Sequence, residues 1–200
     1  MFRNPPNIKC NQQIMIRDNK NGRISCDHYA TPLNTVQNLL NNIVINEMNI
    51  LEPSAGEGNI IRVLRENGYN GNITAMELRY KENQELTKYA NSVIIGDFLS
   101  LKTNEKYDLI IGNPPFSKAL EFVEKCFDLI NDNGRIILLL RTAFLESKSR
   151  YDFWQRHPLS ALYVLSKRPS FTGHDRDATS YSWFEFKKNV NIREQTIKVI

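Results

Sequence analysis

From about residue 48 onward the chain alternates short apolar runs with helical stretches. This alternation constrains the fold more than any other property, because strands joined by crossover helices pack side by side in a mostly parallel sheet. Strands are predicted near Ile50 to Glu52, Ile73 to Glu77, Val93 to Gly96, Leu109 to Gly112, Arg135 to Leu140, Leu162 to Ser166 and Ser180 to Phe186. Helices near Asn59 to Glu66, Glu82 to Ala90 and Lys118 to Ile130 separate the first five. Asn67-Gly68 and Asn131-Asp132-Asn133-Gly134 stop two of them, as residues tolerant of left-handed backbone do. A further helix near Ser149 to Arg156 precedes the sixth strand. No helical stretch separates the last two strands, which are expected to pair antiparallel across residues 167–179. Ahead of the sheet, Thr31-Pro32 followed by Val36, Leu39, Leu40 and Ile43 predicts a capped amphipathic helix with proline at its first position. The expected fold is α/β: a seven-stranded, mostly parallel sheet with an antiparallel last strand and helices on both faces.

With 200 residues, 41% of them hydrophobic, the chain has room for one domain with a substantial core. Residues 1–28 are polar and irregular and read as an N-terminal arm; residues 29–187 hold the domain, and 188–200 read as a tail. No stretch approaches the ~20 apolar residues of a membrane span. The segment Met1-Phe2-Arg3-Asn4-Pro5-Pro6 lacks an apolar signal core, so an intracellular, cytoplasmic location is expected. Cys10, Cys26 and Cys126 are odd in number and irregularly spaced, which argues for free thiols over a disulfide framework. A metal site built on Cys10, Cys26 and His28 would lack a CxxC pair and a fourth ligand, so no metal is expected.

Chemistry gathers where the strands end. The first runs into Glu52-Pro53-Ser54-Ala55-Gly56-Glu57-Gly58, whose glycines allow close backbone approach to a ligand at a strand-to-helix crevice. The loop lacks a full GxGxxG and carries two acids, which disfavours a pyrophosphate and favours a cationic or amine-bearing ligand. Glu77 ends the second strand, where a carboxylate can take both hydroxyls of a ribose. Asp97 and Phe98 follow the third, suited to an adenine amino group and ring. Each acid alone is also an ordinary polar strand end.

The fourth strand ends in Asn113-Pro114-Pro115-Phe116. Such a string is an ordinary turn signal, but it also suits methyl transfer to a planar amino group. The lone pair of an adenine or amide nitrogen is delocalised and poorly nucleophilic. Acceptors around its N–H bonds, here the Asn113 amide oxygen and the Pro114 carbonyl, would localise that pair and stabilise the developing positive charge. The prolines hold both oxygens in place, and Phe116 offers a flat face to a base.

Taken in this order, the motifs resemble S-adenosylmethionine-dependent amino-methyltransferases of the Rossmann-like class, in particular the small adenine-N6 DNA methyltransferases of phages and restriction-modification systems with gamma-type motif order. The likeness spans roughly residues 29–187. It implies that Glu52, Pro53, Ser54, Ala55, Gly56 and Gly58 form the cofactor loop. It further implies that Glu77 binds the ribose, Asp97 and Phe98 the adenine, Thr31 the methionine end, and Asn113, Pro114 and Phe116 the reacting amine. Arg168-Pro169-Ser170-Phe171 resembles the late loop whose aromatic residue stacks on the extruded base, so Phe171 is expected to face Phe116 across it. S-adenosylmethionine is the implied cofactor.

The resemblance breaks off at target recognition. Gamma enzymes that act alone usually carry a separate recognition domain, and none is visible in this sequence. A second subunit is one expected source, residues 1–28 and 142–158 another. Charge supports a nucleic-acid partner, since residues 1–100 carry 10 basic and 10 acidic residues and residues 101–200 carry 16 and 12. Arg141, Lys148, Arg150, Arg156, Lys167, Arg168 and Arg176, flanked by Tyr151, Trp154 and Phe171, suit a phosphate backbone with a few stacking faces. Three alternatives stay open: RNA adenine methylation, protein glutamine-N5 methylation, and a noncatalytic partner of a second methyltransferase.

Overall fold

The computed structural model describes residues 30–171, 179–189 and 194–200. Cys10, Cys26, His28, Arg176 and residues 1–28 as a whole lie outside them. In chain order the elements are α1 (Leu33–Leu40), β1 (Asn49–Glu52), α2 (Asn59–Glu66), β2 (Asn72–Glu77), α3 (Asn83–Leu86), β3 (Ser92–Ile95) and β4 (Tyr107–Gly112). They continue with α4 (Ala119–Leu129), β5 (Ile130–Arg141), α5 (Tyr151–Arg156), β6 (Leu159–Val164), β7 (Tyr181–Lys187) and β8 (Thr196–Val199).

The strands form one eight-stranded sheet in the order β3-β2-β1-β4-β5-β7-β6-β8. β1 to β5 are parallel, and β7 inserts antiparallel between β5 and β6. The sheet thus has eight strands where the sequence predicts seven. The extra one, Thr-Ile-Lys-Val, pairs parallel with β6. All four of its residues are exposed, so it carries no alternation of buried and exposed positions to betray it.

Alternate side chains of the central strands enter opposite cores. Ile50, Leu109, Ile111, Ile137, Leu139 and Trp183 face α1 and α2, packing with Val36, Leu39, Ile61 and Leu64. Leu51, Ile110, Ile136, Leu138, Phe184 and Phe186 face α4 and α5, packing with Phe122, Val123, Cys126 and Phe153. Strands buried on both faces read as continuous apolar runs, which is why Asp108-Leu-Ile-Ile and Ile136-Ile-Leu-Leu-Leu stand out in the sequence.

Local boundaries differ in informative ways. α1 starts one residue later than predicted: Pro32 is the cap and no side chain caps the helix. Asn131 to Gly134 follow the end of α4 but belong to β5, where the register with β4 shifts between Tyr107 and Leu109 and Asn133 adopts φ 63°. Residues chosen for a turn there make a bulge inside a strand. α3 shrinks to one turn, preceded by a 3-10 turn at Tyr80–Glu82.

Candidate active site

The chain builds β1, β2 and β3 outward in one direction, then returns to lay β4 on the other side of β1. Where strand order reverses in this way, the loops after the two central strands diverge and open a crevice beyond their carboxyl ends. The loops after β1 and β4 meet there. Ser54 Oγ donates to the Asn113 carbonyl at 3.1 Å. A Cβ on Gly112 would come within 3.1 Å of the Pro53 ring, so this close approach depends on glycine.

A cavity of about 600 Å³ opens at this crevice, lined in part by Thr31, Glu52, Pro53, Ser54, Ala55, Gly56, Glu77, Asp97, Phe98 and Asn113. The volume lies in the range of small-molecule sites. Four successive strand ends and the segment before α1 therefore converge on one space. Thr31 is buried, its carbonyl accepting from Asn59 Nδ2 at 2.9 Å. Gly58 does not line the cavity. It caps α2 at φ 80°, a backbone position that favours glycine.

The acids of the cavity differ in their surroundings. Glu77, 6% exposed, accepts from the Gly56 amide at 2.8 Å on one oxygen. Its other oxygen receives the Arg79 amide at 3.0 Å and Arg79 Nε at 2.8 Å. Glu52, 1% exposed, has no partner for Oε2 among the described residues. Burial, reinforced by the negative charge of Glu77, holds its carboxyl well above the usual carboxylate range. Asp97 accepts from Leu99 N at 3.0 Å and Ser100 Oγ at 2.9 Å, so it also shapes the short turn that follows β3. Phe98 is buried against Phe122, ring centroids 4.9 Å apart.

Sequence reasoning missed several wall residues. Leu78, Arg79, Leu99, Ser117, Lys118 and Phe122 line the cavity but belong to no motif. Arg79 alone left a readable signal, a cation two residues after an acidic strand end.

Beyond Asn113 the space is filled by rings. Pro115 still lines the cavity. Phe116 contacts Tyr181 at 5.1 Å and Phe171 at 6.0 Å with an interplanar angle of 63°, while Phe171 and Tyr181 meet at 5.0 Å. The structure thus brings Phe116 and Phe171 together edge to face. Two rings sandwiching a base would lie parallel, about 7 Å apart, twice the aromatic contact distance. Arg141, at the end of β5, holds its guanidinium carbon 5.2 Å from the Phe116 ring centroid. Tyr181, the neighbour of Arg141 across β7 and β5, was absent from the predicted site, and Arg141 was expected only as one of the basic residues suited to a phosphate backbone.

The basic residues expected to meet a substrate have different fates. Arg150 lies over Phe144 and donates to the carbonyls of Phe144, Ala143 and Glu146, so its guanidinium shapes the 142–150 turn. Lys148 and Arg168 are exposed. Among the described residues no group of His, Cys, Asp and Glu is arranged to hold a metal ion. No helix there is long and apolar enough to cross a membrane.

No family model matches the chain. Over 121 residues, 50% of its length, it is 32% identical to the type II methyltransferase M.CvrRI of Paramecium bursaria Chlorella virus XZ-6E. The match spans 32% of that relative, about a third of its length. A protein of Listeria monocytogenes named as a class I S-adenosylmethionine-dependent methyltransferase superposes with a TM-score of 0.68 at 15% identity, covering 88% of this chain and 67% of the other. One of Pyrococcus horikoshii named as an RNA methyltransferase gives 0.63 at 15% identity, covering 82% of this chain and 88% of the other. With its switch-point cavity and a sheet shared with these neighbours, the chain has the Rossmann-like fold of S-adenosylmethionine-dependent methyltransferases.

Proposed function

We propose that the protein transfers a methyl group from S-adenosylmethionine to the N6 amino group of an adenine extruded from DNA. One observation carries the reading: Asn113 and Pro115 wall the cavity while Phe116, the next residue, belongs to the aromatic cluster, so a single turn joins the cavity to that cluster. A transferase needs that arrangement. The viral relative named as a type II methyltransferase supports it.

The cavity suits the cofactor chemically. The buried Glu52, whose Oε2 has no partner among the described residues, favours a cationic ligand. Glu77, held by Gly56 and Arg79, lines the cavity and would accept from a ribose hydroxyl on the oxygen that takes only the Gly56 amide. Asp97, Phe98 and Leu99 would take the adenine, and Thr31 with the Pro53 to Gly56 turn the methionine end. When bound, S-adenosylmethionine supplies a methyl group on a positively charged sulfur, open to in-line attack. Asn113 and Pro114 would accept from the two N–H bonds of the target amine and so stabilise its charge as it attacks. Phe116 and Phe171 would hold the base by stacking. No covalent enzyme intermediate is required. Lys148 and Arg168, both exposed, would meet the backbone, and a second subunit would supply target recognition.

The test is incubation with labelled S-adenosylmethionine and DNA, RNA or protein, followed by nucleoside analysis. Labelled N6-methyladenine should appear with DNA, and Asn113→Ala should lower its rate on the order of 10²–10³-fold. Label confined to RNA or to protein glutamine would replace the acceptor. Undiminished transfer by Asn113→Ala would remove the amide from the mechanism.

A further inference from the structure

Most of the described arginines divide by the company they keep; Arg168 is exposed. Arg62, Arg79, Arg135 and Arg156 each pair with a carboxylate. Arg65 and Arg150 are tied to backbone carbonyls. Arg141 is exposed, has no carboxylate or carbonyl partner among the described residues, and rests on the ring of Phe116.

Its location gives this contact meaning. Arg141 ends β5 opposite Tyr181, the first residue of β7, at the same edge of the sheet as the loops after β1 and β4. Among the described residues, Tyr181 lies tilted at 42° to Phe116, Phe171 stands edge-on at 63°, and the Arg141 guanidinium lies over its ring. A base that stacks on the face under Arg141 must displace the guanidinium. Tyr181 is 1% exposed and anchored in the sheet, so it is the least able to leave. Arg141, at the solvent edge, is the most able.

A guanidinium is planar, delocalised and weakly hydrated, and it lies on aromatic faces much as a nucleobase does. It also binds phosphate through two parallel N–H donors, a stronger partner than an exposed ring. Resting on our reading of Asn113 to Phe116 as the methyl-transfer turn, we propose that Arg141 is a placeholder for the target base. In the free protein it covers Phe116. When a strand binds, the guanidinium passes to a phosphate next to the extruded nucleotide, and the vacated face receives the base. The acceptor is therefore a nucleic-acid strand, because a protein glutamine or a free nucleoside offers the base site nothing to draw Arg141 away.

Two bindings that should move in opposite directions test this. With S-adenosylhomocysteine present, an adenine-containing single-stranded oligodeoxynucleotide should bind Arg141→Ala more weakly. The slope of log affinity against log salt should flatten by about 0.7, one phosphate contact on a single strand. Arg141→Lys should recover the slope. Free adenosine, which has no phosphate, should bind Arg141→Ala more tightly than the unaltered protein, because the guanidinium no longer lies over the Phe116 ring. Lost packing or a general loss of positive charge would not raise adenosine affinity. An unchanged salt slope, or adenosine binding that is equal or weaker in Arg141→Ala, overturns the placeholder. Because these are binding measurements, they separate from the methylation assay. Protein that methylates a strand but shows neither change loses only the placeholder, whereas protein that methylates no strand loses the functional reading as well.

Discussion

On one side of Asn113 lies an open cavity of about 600 Å³, walled by strand ends whose acids are already held or buried. On the other, Phe116, Phe171, Tyr181 and Arg141 fill the space with one another. The difference matches the two ligands each side is proposed to take. A small cofactor repeats the same contacts in every turnover, so its site gains from being preformed and from having its polar groups fixed. A base must be lifted from a stack before it can enter. A site whose own rings pack together exchanges those contacts for the base when it enters.

The sharpest way to break this comparison is to attack Glu77. Glu77→Ala removes the nearer of the two carboxylates paired with Arg79, whose side chain is 19% exposed, and leaves it Glu82. It should cost about 1.5–3 kcal/mol of stability by denaturant unfolding, the range for hydrogen bonds to charged groups. Glu77→Gln should keep the fold and weaken cofactor binding by roughly 100-fold, as loss of hydrogen bonds to a charged group does. Acceptor binding should not change. Normal cofactor affinity in Glu77→Gln would mean that the carboxylate only braces the loop.

Phe116→Leu probes the other side. Loss of stacking should raise the acceptor KM by about 1–3 kcal/mol, roughly 5- to 150-fold, with the cofactor Kd unaltered by calorimetry. A parallel loss of cofactor affinity would show the two spaces to be one.

The smallest effect concerns Glu52 and pH. Its carboxyl is raised in the folded chain, so the empty protein prefers it protonated. The folded state then binds more protons than the unfolded one, and stability falls as pH rises from about 4.5, the ordinary value, through the raised folded value. The slope is at most about 1.4 kcal/mol per pH unit. Glu52→Gln should lose this slope in urea unfolding between pH 5 and 8. A cationic cofactor favours the ionised carboxylate, so affinity should rise with pH across the same window in the unaltered protein alone. Equal slopes in both proteins would identify another titrating group.

The fold was legible because its central strands are buried on both faces and announce themselves as apolar runs. The cavity wall was legible for a related reason. Glu52, Glu77 and Asp97 each end or follow such a run, and a parallel sheet carries all its strand ends to one edge. β8 was not, since a short exposed edge strand imposes no pattern on its residues. Leu78, Leu99 and Phe122 were hidden because apolar wall residues look like any core residue until the cavity is seen. Tyr181, and the seat of Arg141 on Phe116, were hidden for a different reason: both depend on the antiparallel β5–β7 register, which joins positions 40 residues apart in no order a sequence displays. Arg150 shows the converse. Its charge reads like a phosphate contact, yet the turn that carries it consumes every donor it has been given a partner for.

The bond between Ser54 and Asn113 joins residues 59 positions apart, across a central strand pair with only two residues of each strand in register. Bringing such distant segments together costs entropy before any contact repays it, whereas β1, β2 and β3 can associate through shorter loops. A nascent chain that has reached β3 therefore holds Glu52, Glu77 and Asp97 but has no wall against which to close them. The arrival of β4 and α4 completes the cavity and delivers Asn113 to Phe116 in the same step. Any chain folded well enough to form the cavity already carries the turn proposed to act beside it.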